Sequence, residues 1–95
     1  VEEPGLHGPR EERPAQTREL HRAIVSLMEE LEAVDWYNQR CDACADMELR
    51  GILEHNRDEE KEHAAMLMEW IRRQDPAFSG QLKTYLFSEK PIAGH

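Results

Sequence analysis

The amino-acid sequence predicts an all-α fold, a two-helix antiparallel hairpin followed by a short C-terminal helix. Apolar residues recur at alternating spacings of four and three in two long segments, a pattern typical of amphipathic helices that pack nearly parallel to a neighbour. The second segment has no glycine or proline between Ile52 and Gln74. Asp46 and Asp75 each precede a helical pattern and can cap a new helix. These observations together predict three helices in one domain.

The first helix is expected to begin at Thr17, whose side chain can cap it, and to run to about Arg40. Its apolar stripe is formed by Leu20, Ile24, Leu27, Leu31 and Val34. Residues 1–16 contain three prolines, two glycines and many charges, with almost nothing apolar to bury. We therefore predict a disordered N-terminal segment over 1–16.

The second helix is predicted to follow Asp46 and to carry a longer stripe at the same spacing: Leu49, Leu53, Asn56, Glu60, His63, Leu67 and Trp70 or Ile71. Asp75 and Pro76 then start a short third helix over "PAFSGQLKTYLFSE", residues 76–89. We assign residues 17–88 to the helical domain and residues 89–95 to a flexible tail.

Size and charge limit the classes of function. A chain of 95 residues with 39% apolar residues allows one small domain, and so short a hairpin buries little surface alone, so we expect it to self-associate. The net charge of −8, from 20 acidic and 12 basic residues, argues against binding nucleic acid or an anionic membrane. No apolar run approaches the roughly 18 to 20 residues of a membrane span, so we expect a soluble, cytosolic chain.

Three polar residues occupy or border the predicted core. On a helical wheel, Glu60 lies within about 20° of the apolar centre of the second helix and His63 lies about 60° to 80° away, while Glu30 borders the stripe of the first helix. An ionised carboxylate in an apolar interface costs several kcal/mol unless something pairs with it. Arg57 or Lys61, a shared proton, or a metal ion could compensate, and a metal ion is the strongest of these.

The ligand count indicates half of a known type of site. Di-iron carboxylate bundles take one Glu from each of two helices and a Glu-x-x-His from each of two others, whereas this chain supplies one Glu and one "EKEH". Two antiparallel chains would complete a four-helix bundle whose four carboxylates balance two ferrous ions. The alternative is a helical-hairpin dimerisation or scaffolding module in which the buried polar residues set the register and metal binding is incidental.

A second cluster, Glu29, Glu32 and Trp36, forms an acidic and aromatic face on the first helix. This face is either a solvated surface or a region that concentrates cations. Tyr37 lies about 20° from Glu30 on the helical wheel and is either a hydrogen-bond partner of the site or part of the core.

Cys41 and Cys44 form a single C-x-x-C near the end of the first helix. The motif is half of a four-cysteine zinc site and lacks the βαβ context of a thioredoxin-like motif, so a zinc or thiol redox function is a minor alternative. His21 and His55 fall away from the apolar stripes and are expected on the surface.

The segments "HRAIVSLMEELEAVDWYNQR", "ILEHNRDEEKEHAAM" and "TYLFSEKPI" resemble the encapsulated ferritins, half-length ferritin-like proteins housed in bacterial encapsulin nanocompartments. The resemblance extends from about Leu20 to Ile92. It implies a hairpin that dimerises into a ferritin-like four-helix bundle, a ring-shaped decamer of five dimers, and an encapsulin shell protein as partner. It also implies a ferroxidase that oxidises Fe(II) with dioxygen for iron storage, inside a nanocompartment in the bacterial cytoplasm.

Carried over onto this sequence, the resemblance makes Glu30, Glu60 and His63 the catalytic ligands of a di-iron site shared by two chains. Zinc, manganese, cobalt or calcium can substitute for the iron. The acidic face of Glu29, Glu32 and Trp36 matches the family's secondary metal site on the route of incoming iron, and Tyr37 matches a tyrosine beside the site. The family's C-terminal targeting peptide is not among these residues, and the C-x-x-C gains no role from the resemblance.

Overall fold

The computed structural model describes residues 15–94, which form three helices: α1 (Ala15–Ala43), α2 (Met47–Gln74) and α3 (Pro76–Tyr85). Helices α1 and α2 pack along their lengths as a hairpin, and α3 packs against α2. These residues contain no strand, so the predicted all-α class is confirmed. None of the three helices is both long enough and apolar enough to cross a bilayer.

Helix α1 is longer than predicted at both ends. It begins at Ala15, so Thr17 lies inside the helix and does not cap it. The Nε2 atom of Gln16 donates a hydrogen bond to the carbonyl oxygen of Gln74 at 3.5 Å, so the first turn of α1 lies against the end of α2. At its other end the helix continues past Arg40 to Ala43, and Cys41 is buried in this last turn. Most of the predicted disordered segment, residues 1–14, lies outside the described residues.

The two aspartates cap their helices as predicted. The Oδ1 atom of Asp46 accepts a hydrogen bond from the backbone N–H of Leu49 at 2.8 Å. The Oδ1 atom of Asp75 accepts one from the N–H of Phe78 at 3.0 Å, with Pro76 in the first turn of α3. Such caps satisfy N–H groups that have no partner inside the helix.

Helix α3 is shorter than predicted, ending at Tyr85 rather than near Glu89. Leu86 adopts an extended conformation and Phe87 has a φ of 60°, so the backbone leaves the helical region there. A left-handed backbone at a residue with a Cβ is unfavourable, and helical geometry cannot continue through it.

The seam between α1 and α2 consists of buried or half-buried residues spaced three and four apart in both helices. Its most buried members are Ala23, Cys41, Ala64 and Ile71. Only one edge of the predicted apolar stripe faces α2, since Ile24 and Leu31 remain about half exposed. A hairpin has only one internal contact line, so many large apolar side chains contact water in the single chain. They include Met28, Trp36, Leu49, Ile52, Met66 and Trp70.

Candidate metal centre

The structure brings Glu30, Glu60 and His63 together across the middle of the hairpin. The Nδ1 atom of His63 lies 3.5 Å from Oε2 of Glu30 and 3.8 Å from Oε1 of Glu60. One possible ligand atom from each side chain lies within 4.8 Å of the other two. Glu30 comes from α1, whereas Glu60 and His63 are three residues apart on one face of α2. Three potential metal-ligand atoms therefore lie close enough together to bind one cation.

The cluster is partly exposed to solvent. The side chains of Glu30 and Glu60 are 24% and 26% exposed, and that of His63 is 42% exposed. The two carboxylates thus lie mostly within the seam, and the imidazole lies at its rim.

The two carboxylates of the cluster lie next to each other. The neighbouring Glu30 carboxyl group raises the pKa of Glu60 above its usual value, burial adds to this effect, and His63 opposes it. The Oε2 atom of Glu30 is buried and makes no hydrogen bond to the part of the chain that the structure describes. A buried acceptor without a donor is unfavourable, so the cluster is suited to receive a cation.

The basic side chains that could have neutralised Glu60 are directed elsewhere. The Nε atom of Arg57 lies 3.2 Å from Oδ1 of Asp58, and its Nη1 atom donates to Oδ1 of Asn38 at 3.3 Å. The Nζ atom of Lys61 lies 3.7 Å from the same Asp58 oxygen. Two carboxylates and an imidazole are a donor set that suits ferrous iron and also zinc, manganese or cobalt. The residues present therefore fit a divalent cation.

The acidic face is also assembled on the surface of α1. Glu29, Glu32 and Trp36 are exposed and line a shallow depression of about 190 Å³. The guanidinium carbon of Arg40 lies 5.7 Å from the ring centroid of Trp36 and 5.6 Å from that of Tyr37, within cation–π range. Our sequence analysis missed Arg40, although its spacing of four and three from the two rings places it on their side of the helix.

Tyr37 is half-buried in the α1–α2 seam. Within residues 15–94 it makes no hydrogen bond to Glu30, Glu60 or His63, and its recorded side-chain contact is with Arg40. The role of a hydrogen-bond partner beside the site therefore stays a prediction.

The remaining candidates are separate from the cluster. Cys41 is buried and Cys44 is half-buried, both as free thiols, and neither joins a group of three or more potential metal ligands among the described residues. His55 is exposed and its Nε2 atom lies 2.6 Å from Oε1 of Glu59, which confirms its surface position. His21 is half-buried, so its predicted surface position is wrong.

Comparison with known proteins identifies close relatives. The chain is 63% identical over 86 residues to the "Encapsulated ferritin-like protein" of Rhodospirillum rubrum, a match that covers 90% of this chain and 61% of the relative. It is 55% identical over 86 residues to the "Ferritin-like protein" of Thermotoga maritima, covering 90% of this chain and 75% of the relative. It is 39% identical over 66 residues to the "Encapsulin nanocompartment cargo protein EncC" of Myxococcus xanthus, covering 68% of this chain and 51% of the relative.

A solved structure shares the fold. The crystal structure of protein ne0167 from Nitrosomonas europaea superposes with a TM-score of 0.88 and 67% sequence identity, covering 95% of this chain and 99% of that one. A family profile described as EncFtn-like matches residues 5–89. The chain therefore belongs to the EncFtn-like family of encapsulated ferritin-like proteins.

Proposed function

We propose that this protein is a ferroxidase, which oxidises Fe(II) to Fe(III) with dioxygen at a di-iron site shared by two chains. The observation that carries the proposal is the cluster of Glu30, Glu60 and His63, whose ligand atoms lie within 4.8 Å of one another and whose carboxylates have no Lys or Arg partner among the described residues. A fold keeps such an uncompensated pair at a cost in stability, and a bound cation removes that cost.

Two copies of the chain account for the charge of the site. One cluster carries two carboxylates, and two facing clusters carry four, which balance two ferrous ions. His63 shares a face of α2 with the exposed side chains of Ile52, Met66 and Trp70, because they recur at helical spacings. A second chain that covers these apolar side chains would also bring its own His63, Glu60 and Glu30 to the first cluster.

In this proposal iron is the substrate, and each of two ferrous ions gives one electron to dioxygen. The carboxylates of Glu30 and Glu60 hold the cations, and a cation bound between them opposes the effect by which Glu30 raises the Glu60 pKa. His63 contributes a neutral nitrogen donor, so it adds a ligand without adding charge. The protein thus binds both ions side by side and orients them for electron transfer.

The acidic face supplies a route for incoming cations. The exposed carboxylates of Glu29 and Glu32 beside Trp36 attract Fe(II) in a chain whose net charge is −8. A relative from Myxococcus xanthus is named an encapsulin nanocompartment cargo protein. We propose that the present chain likewise assembles as a ring of dimers within an encapsulin shell in the bacterial cytoplasm, where the oxidised iron is stored.

The proposal is tested by adding Fe(II) aerobically and following the ultraviolet absorbance of the ferric product. We compare the parent with Glu30→Ala, His63→Ala and the charge-matched control Glu62→Gln, which replaces an exposed carboxylate outside the cluster. The first two variants should lose the catalysed rate and the control should keep it. Equal rates in all four proteins would overturn the ferroxidase and favour the scaffolding module, which predicts dimers without catalysis. Metal content per chain, measured on the separated oligomer, tests whether two chains share the site.

A further inference from the structure

The turn between α1 and α2 contains two cysteines that the proposed function does not use. Cys41 lies in the last turn of α1, and Cys44 is the first residue of the three-residue connection to α2. Both are free thiols. They lie at the end of the hairpin seam, away from the Glu30, Glu60 and His63 cluster, so their chemistry can be considered separately.

The backbone of this turn holds the two cysteines at a distance suitable for a disulfide. The N–H of Cys44 donates a hydrogen bond to the carbonyl oxygen of Cys41 at 3.3 Å. A hydrogen bond of this kind closes a four-residue turn, in which the first and last Cα atoms lie within about 7 Å. Disulfides usually join residues whose Cα atoms are about 4.4 to 6.8 Å apart. A bond between the two sulfurs therefore needs side-chain rotation and little backbone movement.

The two thiols differ in accessibility. Cys41 is only 3% exposed, whereas Cys44 is half-buried and its Sγ donates a hydrogen bond to the carbonyl oxygen of Asp46 at 3.4 Å. A reagent in solution therefore reaches Cys44 first. The buried Cys41 thiol reacts most easily with a group that is already bonded to Cys44, three residues away in the sequence.

Rotation of the Cys44 side chain leaves the start of α2 intact. The carbonyl oxygen of Asp46 also accepts a hydrogen bond from the N–H of Arg50 at 2.9 Å, so it keeps a donor when the thiol leaves. The Asp46 side chain continues to cap the N–H of Leu49. Rotation of the Cys44 side chain therefore breaks its weak sulfur hydrogen bond to Asp46 and leaves both capping contacts of Asp46 in place.

We propose that Cys41 and Cys44 are a redox pair that closes a reversible intrachain disulfide across the hairpin turn. With a small disulfide as oxidant, the Cys44 thiolate attacks one sulfur, the reagent's S–S bond breaks, and one small thiol leaves. The Cys41 thiolate then attacks the Cys44 sulfur of this mixed disulfide and releases the second small thiol. The cysteines lose two electrons and two protons, and the reagent gains them as two thiols.

The experiment titrates the metal-free chain, with a chelator present, in buffers of hydroxyethyl disulfide and mercaptoethanol. This neutral reagent suits the acidic turn, in which Asp42 lies between the two cysteines and Asp46 follows them, because it is not repelled by their charges. After acid quenching, the chain is unfolded and alkylated, and its mass is measured without reductant. The parent should lose both alkylatable thiols together, as a monomeric chain with no accumulated adduct, and regain both on reduction.

Single variants identify the order of the steps. Cys41→Ser should accumulate a stable mixed disulfide at Cys44, whereas Cys44→Ser should react much more slowly, because its remaining thiol is buried. A parent that accumulates the adduct to the same extent as Cys41→Ser, or that forms a disulfide between two chains, would overturn the proposal. If either variant does not fold, the parent titration alone decides, since loss of the two thiols one at a time also contradicts a pair. The result is independent of iron oxidation.

Discussion

Two glutamates on the same helix, Glu60 and Glu69, are in opposite electrostatic situations. Glu69 binds Arg72 through two hydrogen bonds of 2.7 Å each and Arg73 through one of 2.6 Å. These contacts lower the pKa of Glu69 to about 2, with the bonds to Arg72 contributing most. At Glu60 the neighbouring group is the Glu30 carboxyl, and the pKa is raised.

The difference separates a structural carboxylate from one that is available to a cation. The cation next to Glu69 also holds α3, because Nη1 of Arg72 donates to Oγ of the buried Ser79 at 2.9 Å. Glu69 therefore belongs to a hydrogen-bond network within the protein. Its charge is already neutralised by Arg72 and Arg73, so it is a poor metal ligand. Glu60 has an acidic neighbour and a histidine, and no Lys or Arg among the described residues pairs with it.

Substitution of the two glutamates tests this contrast most directly. We expect Glu60→Gln to lower the rate of Fe(II) oxidation by about 100-fold, since losing a residue that only supports a metal ligand already costs about 10- to 100-fold. Glu69→Gln removes the same charge, and its rate per folded chain should equal that of the parent. Stopped-flow ultraviolet absorbance with matched oligomer concentrations gives both rates. Equal losses in the two variants would mean that general charge, rather than the cluster, drives oxidation.

Cation binding should stabilise the chain only through the uncompensated carboxylates. Zinc at ten times its Kd should raise the free energy of unfolding of the parent by about 1.4 kcal/mol, because it binds the folded state alone. Glu69→Gln should respond in the same way, and Glu60→Gln should not respond. Denaturant unfolding without oxygen, with and without chelator, measures the effect. A zinc response that survives in Glu60→Gln would place the cation elsewhere.

The acidic face is a weaker test of the same electrostatic contrast, because the carboxylates of Glu29 and Glu32 are exposed to water. The double variant Glu29→Gln, Glu32→Gln should slow Fe(II) oxidation about threefold at low salt, because it removes two charges that attract the cation. The deficit should disappear at high ionic strength, where the attraction is screened. Initial rates at low and high sodium chloride check this. A deficit that persists in high salt would make the two glutamates ligands rather than attractors.

The pH dependence of stability should have opposite signs at the two glutamates. Folding lowers the Glu69 pKa from 4.5, so its stabilising contribution is present above pH 4.5 and is lost as the pH falls towards about 2. Folding raises the Glu60 pKa from 4.5, so its contribution is present below pH 4.5 and is lost as the pH rises through the raised value.

Unfolding titrations of the metal-free chain measure these two contributions. Glu69→Gln should flatten the profile on the acid side, and Glu60→Gln should stabilise the chain relative to the parent at neutral pH. Glu62→Gln is the control for loss of one charge. Profiles of Glu60→Gln and Glu69→Gln that shift in the same direction would contradict the contrast.

Much of the helical architecture could be predicted from local chemistry. An aspartate just before a helical pattern is a preferred helix cap that acts through its own side chain, so Asp46 and Asp75 predicted two helix starts. The end of α3 could not be predicted, because "TYLFSE" remains a reasonable helical sequence and the break at Phe87 has no glycine to mark it. The first turn of α1 contacts the far end of the other helix through the hydrogen bond from Gln16 to Gln74, a contact that local sequence patterns do not reveal.

Helical periodicity alone placed Glu30, Glu60 and His63 near one seam, because residues three or four apart lie on the same face of a helix. Only the packed hairpin shows which partners the neighbouring basic side chains contact. On a helical wheel Arg57 lies about 60° from Glu60. In the folded chain, however, its guanidinium group contacts Asn38 and Asp58. The direction of the Arg57 side chain depends on which residues of the two helices face each other. Ala23 and Ala64 are buried in the seam between α1 and α2, whereas Ile24 is about half exposed.

The sequence by itself determined the number and order of the helices, their aspartate caps and the three polar residues in or beside an apolar stripe, since each depends on neighbours within a few turns. The tertiary structure decided which carboxylates pair with a basic side chain and which have no such partner among the described residues. It also buried Cys41 beside an accessible Cys44. These outcomes depend on contacts between helices, where burial and the choice of partner set the electrostatic free energy of each group.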